Sequence, residues 1–154
     1  SSFVVEVGSN DGIMLQNFVT DDIPCLGVEP SKNVAQVAQE KGIEVITEFF
    51  DQNLAENIIA THQKADAILS ANVMCHIPYM HSIYDGVKAL LADDGIFIFE
   101  DPYLGEVIEK SSFDQIYDEH IFMIMTRAED QDREPSFDVE SRGRESGPAR
   151  RRVT

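Results

Sequence analysis

Apolar residues fall into short unbroken blocks, separated by longer stretches in which they return every third or fourth position. The blocks are residues 3–7, 25–28, 43–46, 65–70 and 96–99. A short block bounded by turn residues reads as a strand buried on both faces. Helical recurrence reads as an amphipathic helix packed on a sheet. Helices are predicted over 13–19, from Ile13, Leu15, Phe18 and Val19, and after Ser31, from Val34, Ala35, Val37 and Ala38. Two more are predicted over 54–62 and over 78–91, the latter from Ile83, Val87, Leu90 and Leu91. The breaks agree with this division. Asp21, Asp22 and Pro24 close the first helix, Ser31 is a candidate N-cap for the second, and Gly42 ends it. Asp51 or Asn53 can start the third, and Asp93-Asp94-Gly95 reads as a turn before the last strand. Five strands alternating with four helices predict an α/β fold, a doubly wound parallel sheet with right-handed crossovers and helices on both faces. The fifth strand is expected at a sheet edge, where self-association is a hazard.

The first strand runs directly into Gly-Ser-Asn-Asp-Gly at 8–12. A buried strand passing through a glycine turn into a helix is the ligand corner of an open α/β sheet. Gly8 and Gly12 let the chain turn sharply and let a ligand approach the backbone. The spacing is not the dinucleotide pattern Gly-x-Gly-x-x-Gly. Glu6 and Asp11 place carboxylates at the turn, which suits a cationic ligand and repels a pyrophosphate, so NAD is disfavoured. Asp11 is equally placed to cap the first helix. A plain strand–helix connection is the alternative reading of the whole turn.

At 154 residues and 43% hydrophobic content, the chain suffices for one domain of ordinary size. The net charge of −16 argues against nucleic acid and against an anionic membrane surface as partners. No run of apolar residues is long enough to span a bilayer, and no signal peptide is expected, so a cytoplasmic location is expected. Cys25 and Cys75 form no Cys-x-x-Cys pair and read as buried thiols. His76 and His81 are five apart, a poor spacing for two ligands on one helix face, so no metal site is expected. The basic residues divide sharply, with every lysine at or before Lys110 and every arginine at or after Arg127. Residues 127–154 contain no Leu or Ile. They are expected to form a disordered tail, foreign to the domain at 1–126, because they can bury too little apolar surface to offset the entropy of ordering.

Several longer motifs carry a family resemblance. They are Glu-Val-Gly-Ser-Asn-Asp-Gly at 6–12, Leu-Gly-Val-Glu-Pro at 26–30, Phe-Phe-Asp at 49–51 and Ala-Asn-Val-Met-Cys-His-Ile at 71–77. Later come Phe-Glu-Asp-Pro-Tyr-Leu at 99–104 and Phe-Asp-Gln-Ile-Tyr-Asp-Glu-His at 113–120. The chain thereby resembles the core of class I methyltransferases that bind S-adenosylmethionine (SAM). More narrowly it resembles the sugar C-methyltransferases that act on nucleotide-linked keto-deoxysugars. The first four motifs suit many class I methyltransferases, whereas Tyr-x-Glu-His marks the sugar-methylating branch. The resemblance covers about residues 3–122. It implies a Rossmann-like sheet, SAM as cofactor and a nucleotide-linked sugar as substrate. It also implies an N-terminal zinc-binding region, a C-terminal domain and two further strands that this sequence does not match, so a truncated core is expected.

By that resemblance Gly8, Ser9, Asn10, Asp11 and Gly12 pass under the methionine part of SAM, with Glu6 beneath them. Glu29, at the end of the second strand, would accept hydrogen bonds from both ribose hydroxyls, as an acidic residue does in dinucleotide folds. Phe50 would stack on adenine and Asp51 would accept its amino hydrogen, although Asp51 is also a natural N-cap. Asn72, Val73 and His76 follow the fourth strand and would offer cofactor contacts. His120 would be the base that removes a proton from the carbon next to a ketone, since histidine titrates near neutral pH. Glu119 would orient it, and Tyr117 would meet the substrate or steady the enolate oxygen. Tyr103, after the fifth strand, would face the substrate. A structural histidine in a polar loop is the alternative for His120. The remaining readings are a methyltransferase for another small molecule and a SAM-binding fragment without turnover.

Overall fold

Val4–Val7 forms β1, and all four of its residues are buried. A computed structural model describes residues 2–78 and 80–111, together with two strands at 122–126 and 137–141. The chain divides into two units, Ser1–Val73 with Tyr79–Glu100, and Met74–Pro78 with Asp101–Thr154.

The first unit continues through α1 (Leu15–Thr20), β2 (Cys25–Val28), α2 (Lys32–Glu40), β3 (Glu44–Ile46) and α3 (Gln52–Thr61). It ends with β4 (Ala65–Ala71), α4 (Met80–Leu90) and β5 (Leu91–Glu100). The strands form one parallel sheet in the order β3-β2-β1-β4-β5. The doubly wound α/β architecture expected from the apolar blocks is therefore present. Chain order reverses between β1 and β4. Right-handed crossovers then put α1 and α2 on one face and α3 and α4 on the other.

Side-chain alternation assigns the faces. Leu15 of α1 and Ala35 and Ala38 of α2 pack with Val4, Ile43, Val45 and Leu69. Glu6 is two residues beyond Val4 and so shares this face. Val5, Leu26 and Ile68 are cross-strand partners on the opposite face and are fully buried. Each such side chain contributes about 1.5–3 kcal/mol on burial.

Local details settle one alternative of the sequence reading and depart from it elsewhere. Asp51, rather than Asn53, caps α3, accepting the Leu54 N–H at 2.8 Å. Ser31 precedes α2 but makes no side-chain cap bond; its Oγ bonds Asn33 Oδ1 at 2.8 Å. The Asp93-Asp94-Gly95 turn lies within the span of β5 rather than before it. Leu91 pairs with Ala65 and Ile96 with Ala67, so residues 92–95 bulge opposite Asp66. Among the described residues β5 is an edge of the sheet, with Ile96 and Ile98 exposed on one face and Phe97 stacked on Phe99 along the other.

The second unit contains a 3-10 turn, Met74–His76, and the short helix α5 (Leu104–Glu109). It also contains β6 (Phe122–Thr126) and β7 (Phe137–Ser141), paired antiparallel. None of α5, β6 and β7 was expected from the hydrophobic pattern. β7 falls within the stretch expected to be a tail; the rest of 127–154 lies outside the described residues. Among the described residues no helix is long and apolar enough to cross a membrane.

Gly86 shows how tightly the helical layer closes. A Cβ there would sit 3.0 Å from the Asp51 carbonyl oxygen and 3.1 Å from the Phe50 ring. Gly86→Val should therefore destabilise the domain by about 1–3 kcal/mol, the usual range for overpacking. Urea unfolding checks this, and an unchanged midpoint would contradict the close approach of α4 to the start of α3.

Candidate functional site

The turn after β1 is built from backbone constraints. Gly8 and Gly12 have φ of 72° and 75°, in the region that favours glycine. A Cβ on Gly8 would run into the Val73 side chain, and one on Gly12 would meet Ile43 and lie 3.0 Å from the Ala38 Cβ. Between them Asn10 takes a left-handed φ of 51°, which asparagine tolerates better than most residues. The turn is pinned to β2, because Gly8 and Ser9 donate their N–H groups to the Val28 carbonyl at 2.8 and 3.2 Å.

Glu29 lies one residue beyond β2. Its Oε2 accepts the Asn10 N–H at 3.1 Å and its Oε1 accepts the Ser31 N–H at 2.8 Å. These two bonds fix the carboxylate plane and leave further lone pairs open. Residues 10, 29 and 73 are far apart in sequence, yet the carboxyl ends of β1, β2 and β4 bring them to one side of the sheet. Asn72, just beyond β4, also has a left-handed φ, 55°, and donates its N–H to the Glu100 carbonyl at 2.6 Å. Two non-glycine residues in this region thus stand where strand order reverses, the usual ligand crevice of an open α/β sheet.

The acids at the turn have different surroundings. Asp11 is clamped by Lys41, whose Nζ donates to Asp11 Oδ2 at 2.9 Å and to its carbonyl at 2.8 Å. The Lys41 hydrogen bond is the main reason the Asp11 carboxyl is held below its usual range, with the Ile13 N–H contributing. Asp11 does not cap α1, which starts after Met14 without a side-chain cap. Glu6 is 5% exposed and its Oε2 has no partner among the described residues. Burial, reinforced by the Asp11 charge, pushes its carboxyl up to about 7. Ser9 is equally buried and its Oγ is likewise unpartnered. Glu6 pairs across the sheet with Gly27, and a Cβ on Gly27 would fall 3.0 Å from the Ser9 Cβ. The missing side chain at Gly27 is what admits Ser9 beside Glu6.

The other expected residues divide. Phe50 is buried at 5% exposure against Gly86, and the neighbouring Phe49 is the exposed ring, at 78%. Asp51 uses Oδ1 as the α3 cap. His76 and Tyr103 are exposed and belong to the second unit. Tyr117, Glu119 and His120 lie outside the described residues. Sequence reasoning passed over Lys41 and Gly27. A glycine inside an apolar strand was the available signal for the second, since it marks a close approach; nothing local signalled the first. Among the described residues no group of three or more His, Cys, Asp and Glu is arranged to hold a metal.

The family model described as a methyltransferase domain matches residues 1–129. The C-methyltransferase NovU of Streptomyces niveus is 40% identical over 117 residues, which are 76% of this chain and 28% of that protein. The chain therefore spans under a third of that relative's length. Among solved structures, the plantazolicin methyltransferase BpumL, in complex with a desmethyl plantazolicin analog and SAH, superposes with a TM-score of 0.60 at 13% identity, covering 77% of this chain and 45% of that one. A SAM dependent methyltransferase from Archaeoglobus fulgidus gives 0.59 at 13% identity, covering 73% and 50%. At such identities these two speak for the fold. Taken with the parallel β3-β2-β1-β4-β5 sheet, the match over residues 1–129 places this chain in the methyltransferase domain family.

Proposed function

We propose that the chain is the cofactor-binding core of a SAM-dependent C-methyltransferase, acting on the carbon next to the ketone of a nucleotide-linked deoxysugar. The observation that carries the cofactor reading is the turn itself: a glycine turn beside a buried carboxyl without a partner among the described residues, with an oriented carboxylate at the next strand end. SAM bears a sulfonium and an ammonium cation, a ribose diol and an adenine. The residues present fit these groups. Glu6 Oε2 and Ser9 Oγ are buried without partners. Glu29 keeps lone pairs for a diol, and Gly8 and Gly12 turn the chain sharply where a side chain would collide with Val73, Ile43 or Ala38.

In this reading Gly8, Ser9, Asn10, Asp11 and Gly12 support the methionine end and Glu29 holds the ribose. Asp51 serves the adenine end with the oxygen its cap bond leaves available. Asn72, Val73 and His76 border the cofactor after β4. Bound SAM supplies an electrophilic methyl group. His120 takes the proton from the substrate carbon, Glu119 orients that imidazole, and Tyr117 and Tyr103 contact the sugar. The 40% identity to a C-methyltransferase and the Tyr-x-Glu-His motif support C-methylation and the sugar class. The chain spans 28% of that relative's length, and the second reading is a SAM-binding module without turnover.

Calorimetric titration with SAM, and with NAD as control, tests the cofactor assignment. Saturable binding of one SAM per chain is expected. A folded chain that binds NAD and not SAM would refute the assignment. Glu29→Ala should weaken SAM binding by about 1–3 kcal/mol, the range for stranding polar partners, and unchanged affinity would remove the ribose role. In an intact homologue the change corresponding to His120→Ala should abolish turnover while SAM affinity stays the same. A variant still turning over at the normal rate would discard His120 as the base. Turnover in the intact homologue and none in this chain would support the second reading.

A further inference from the structure

We propose that ligand binding at the glycine turn is coupled to loss of a proton from Glu6, so that this chain takes up its cationic cofactor with release of a proton. The inference rests on the SAM reading above and extends it to the control of affinity by pH.

The arrangement around Glu6 carries it. Glu6 sits in the central strand, flanked by Gly27 on β2 and Leu69 on β4. Ser9 stands beside it over Gly27, and both side chains have a buried oxygen without a partner among the described residues. The groups that face it supply no positive charge. The turn presents Asp11, β2 presents the Cys25 thiol, β4 presents Leu69 and α1 presents Leu15. Lys41, just after α2, is paired with Asp11. Burial and Asp11 accordingly raise the Glu6 carboxyl to about 7, leaving it partly protonated at neutral pH.

A cation docked on the turn reverses this balance. It favours the charged form of a buried carboxyl that has no partner among the described residues. The proton leaves to solvent, and charge balances because the cation replaces it. Ligands that carry ribose and adenine but no cation have no such effect.

Calorimetry of SAM binding in buffers with different heats of ionisation reads the coupling directly. At pH 6 the wild-type chain should release about 0.9 proton per SAM bound, as a group titrating near 7 implies, whereas Glu6→Gln should release none. Adenosine should release none from either. Wild-type affinity should be about fivefold tighter at pH 7 than at pH 6, with no such rise in Glu6→Gln. Equal proton counts in wild type and variant, with SAM bound in both, would overturn the coupling and leave the cofactor assignment standing. Failure of a folded chain to bind SAM at all would instead overturn that assignment. The ligand-free protein gives a separate check. Because its carboxyl titrates higher folded than unfolded, the folded chain holds a proton that the unfolded chain has lost between about pH 4.5 and 7. Wild-type stability should therefore fall relative to Glu6→Gln as pH rises through that window. A stability difference that does not change with pH would overturn the proposal without any ligand.

Discussion

The first unit depends on β1 being hydrogen-bonded along both edges and covered on both faces. It pairs with β2 on one side and β4 on the other, and all four of its residues are buried. Such a strand has room for apolar side chains and little else. Glu6 in this position is therefore the costly exception, since a buried carboxyl without a partner loses the hydration it has in water. The protein meets that cost by letting the group hold its proton more tightly than an ordinary carboxyl does.

The central place of β1 also sets the geometry of the turn. The strand order reverses on its two sides, so α1 and α2 depart on one face and α3 and α4 on the other. The carboxyl end of β1 is thus left between diverging connections. The chain must leave it without side-chain bulk, because Val73 closes over Gly8, and Ile43 and Ala38 close over Gly12. Sterics at the two glycines, together with the hydrogen bonds from Gly8 and Ser9 to the Val28 carbonyl, fix the course of the turn.

The electrostatics follow from which acids acquire partners. Asp11 is neutralised by Lys41 in a half-exposed pair, which solvent screens. Its effect is more local than stabilising. Glu6, in contrast, is raised by burial and by Asp11, and its buried Oε2 has no partner among the described residues. Glu29 is satisfied by two backbone N–H groups that hold its carboxylate still. Three acids close together in the fold therefore have separate duties, which the net charge of −16 could not distinguish.

The sequence by itself determined the alternation of strands and helices, because a strand buried on both faces must be a short apolar block and a helix on a sheet must repeat its apolar residues. It also marked the corner at 8–12, because only glycine supplies the left-handed turn without strain. It could not say whether Phe49 or Phe50 is the buried ring; packing of α4, close at Gly86, decided for Phe50. Nor could it pair Asp11 with Lys41, thirty residues away, or seat Ser9 over Gly27. The residues opposite the β5 bulge and the strands β6 and β7 were equally illegible, since their pairing is set by partners distant in sequence. Local pattern reports what a segment must bury, whereas register, ion pairing and the choice between adjacent side chains depend on which distant surface arrives to meet it. That information exists only once the chain has folded.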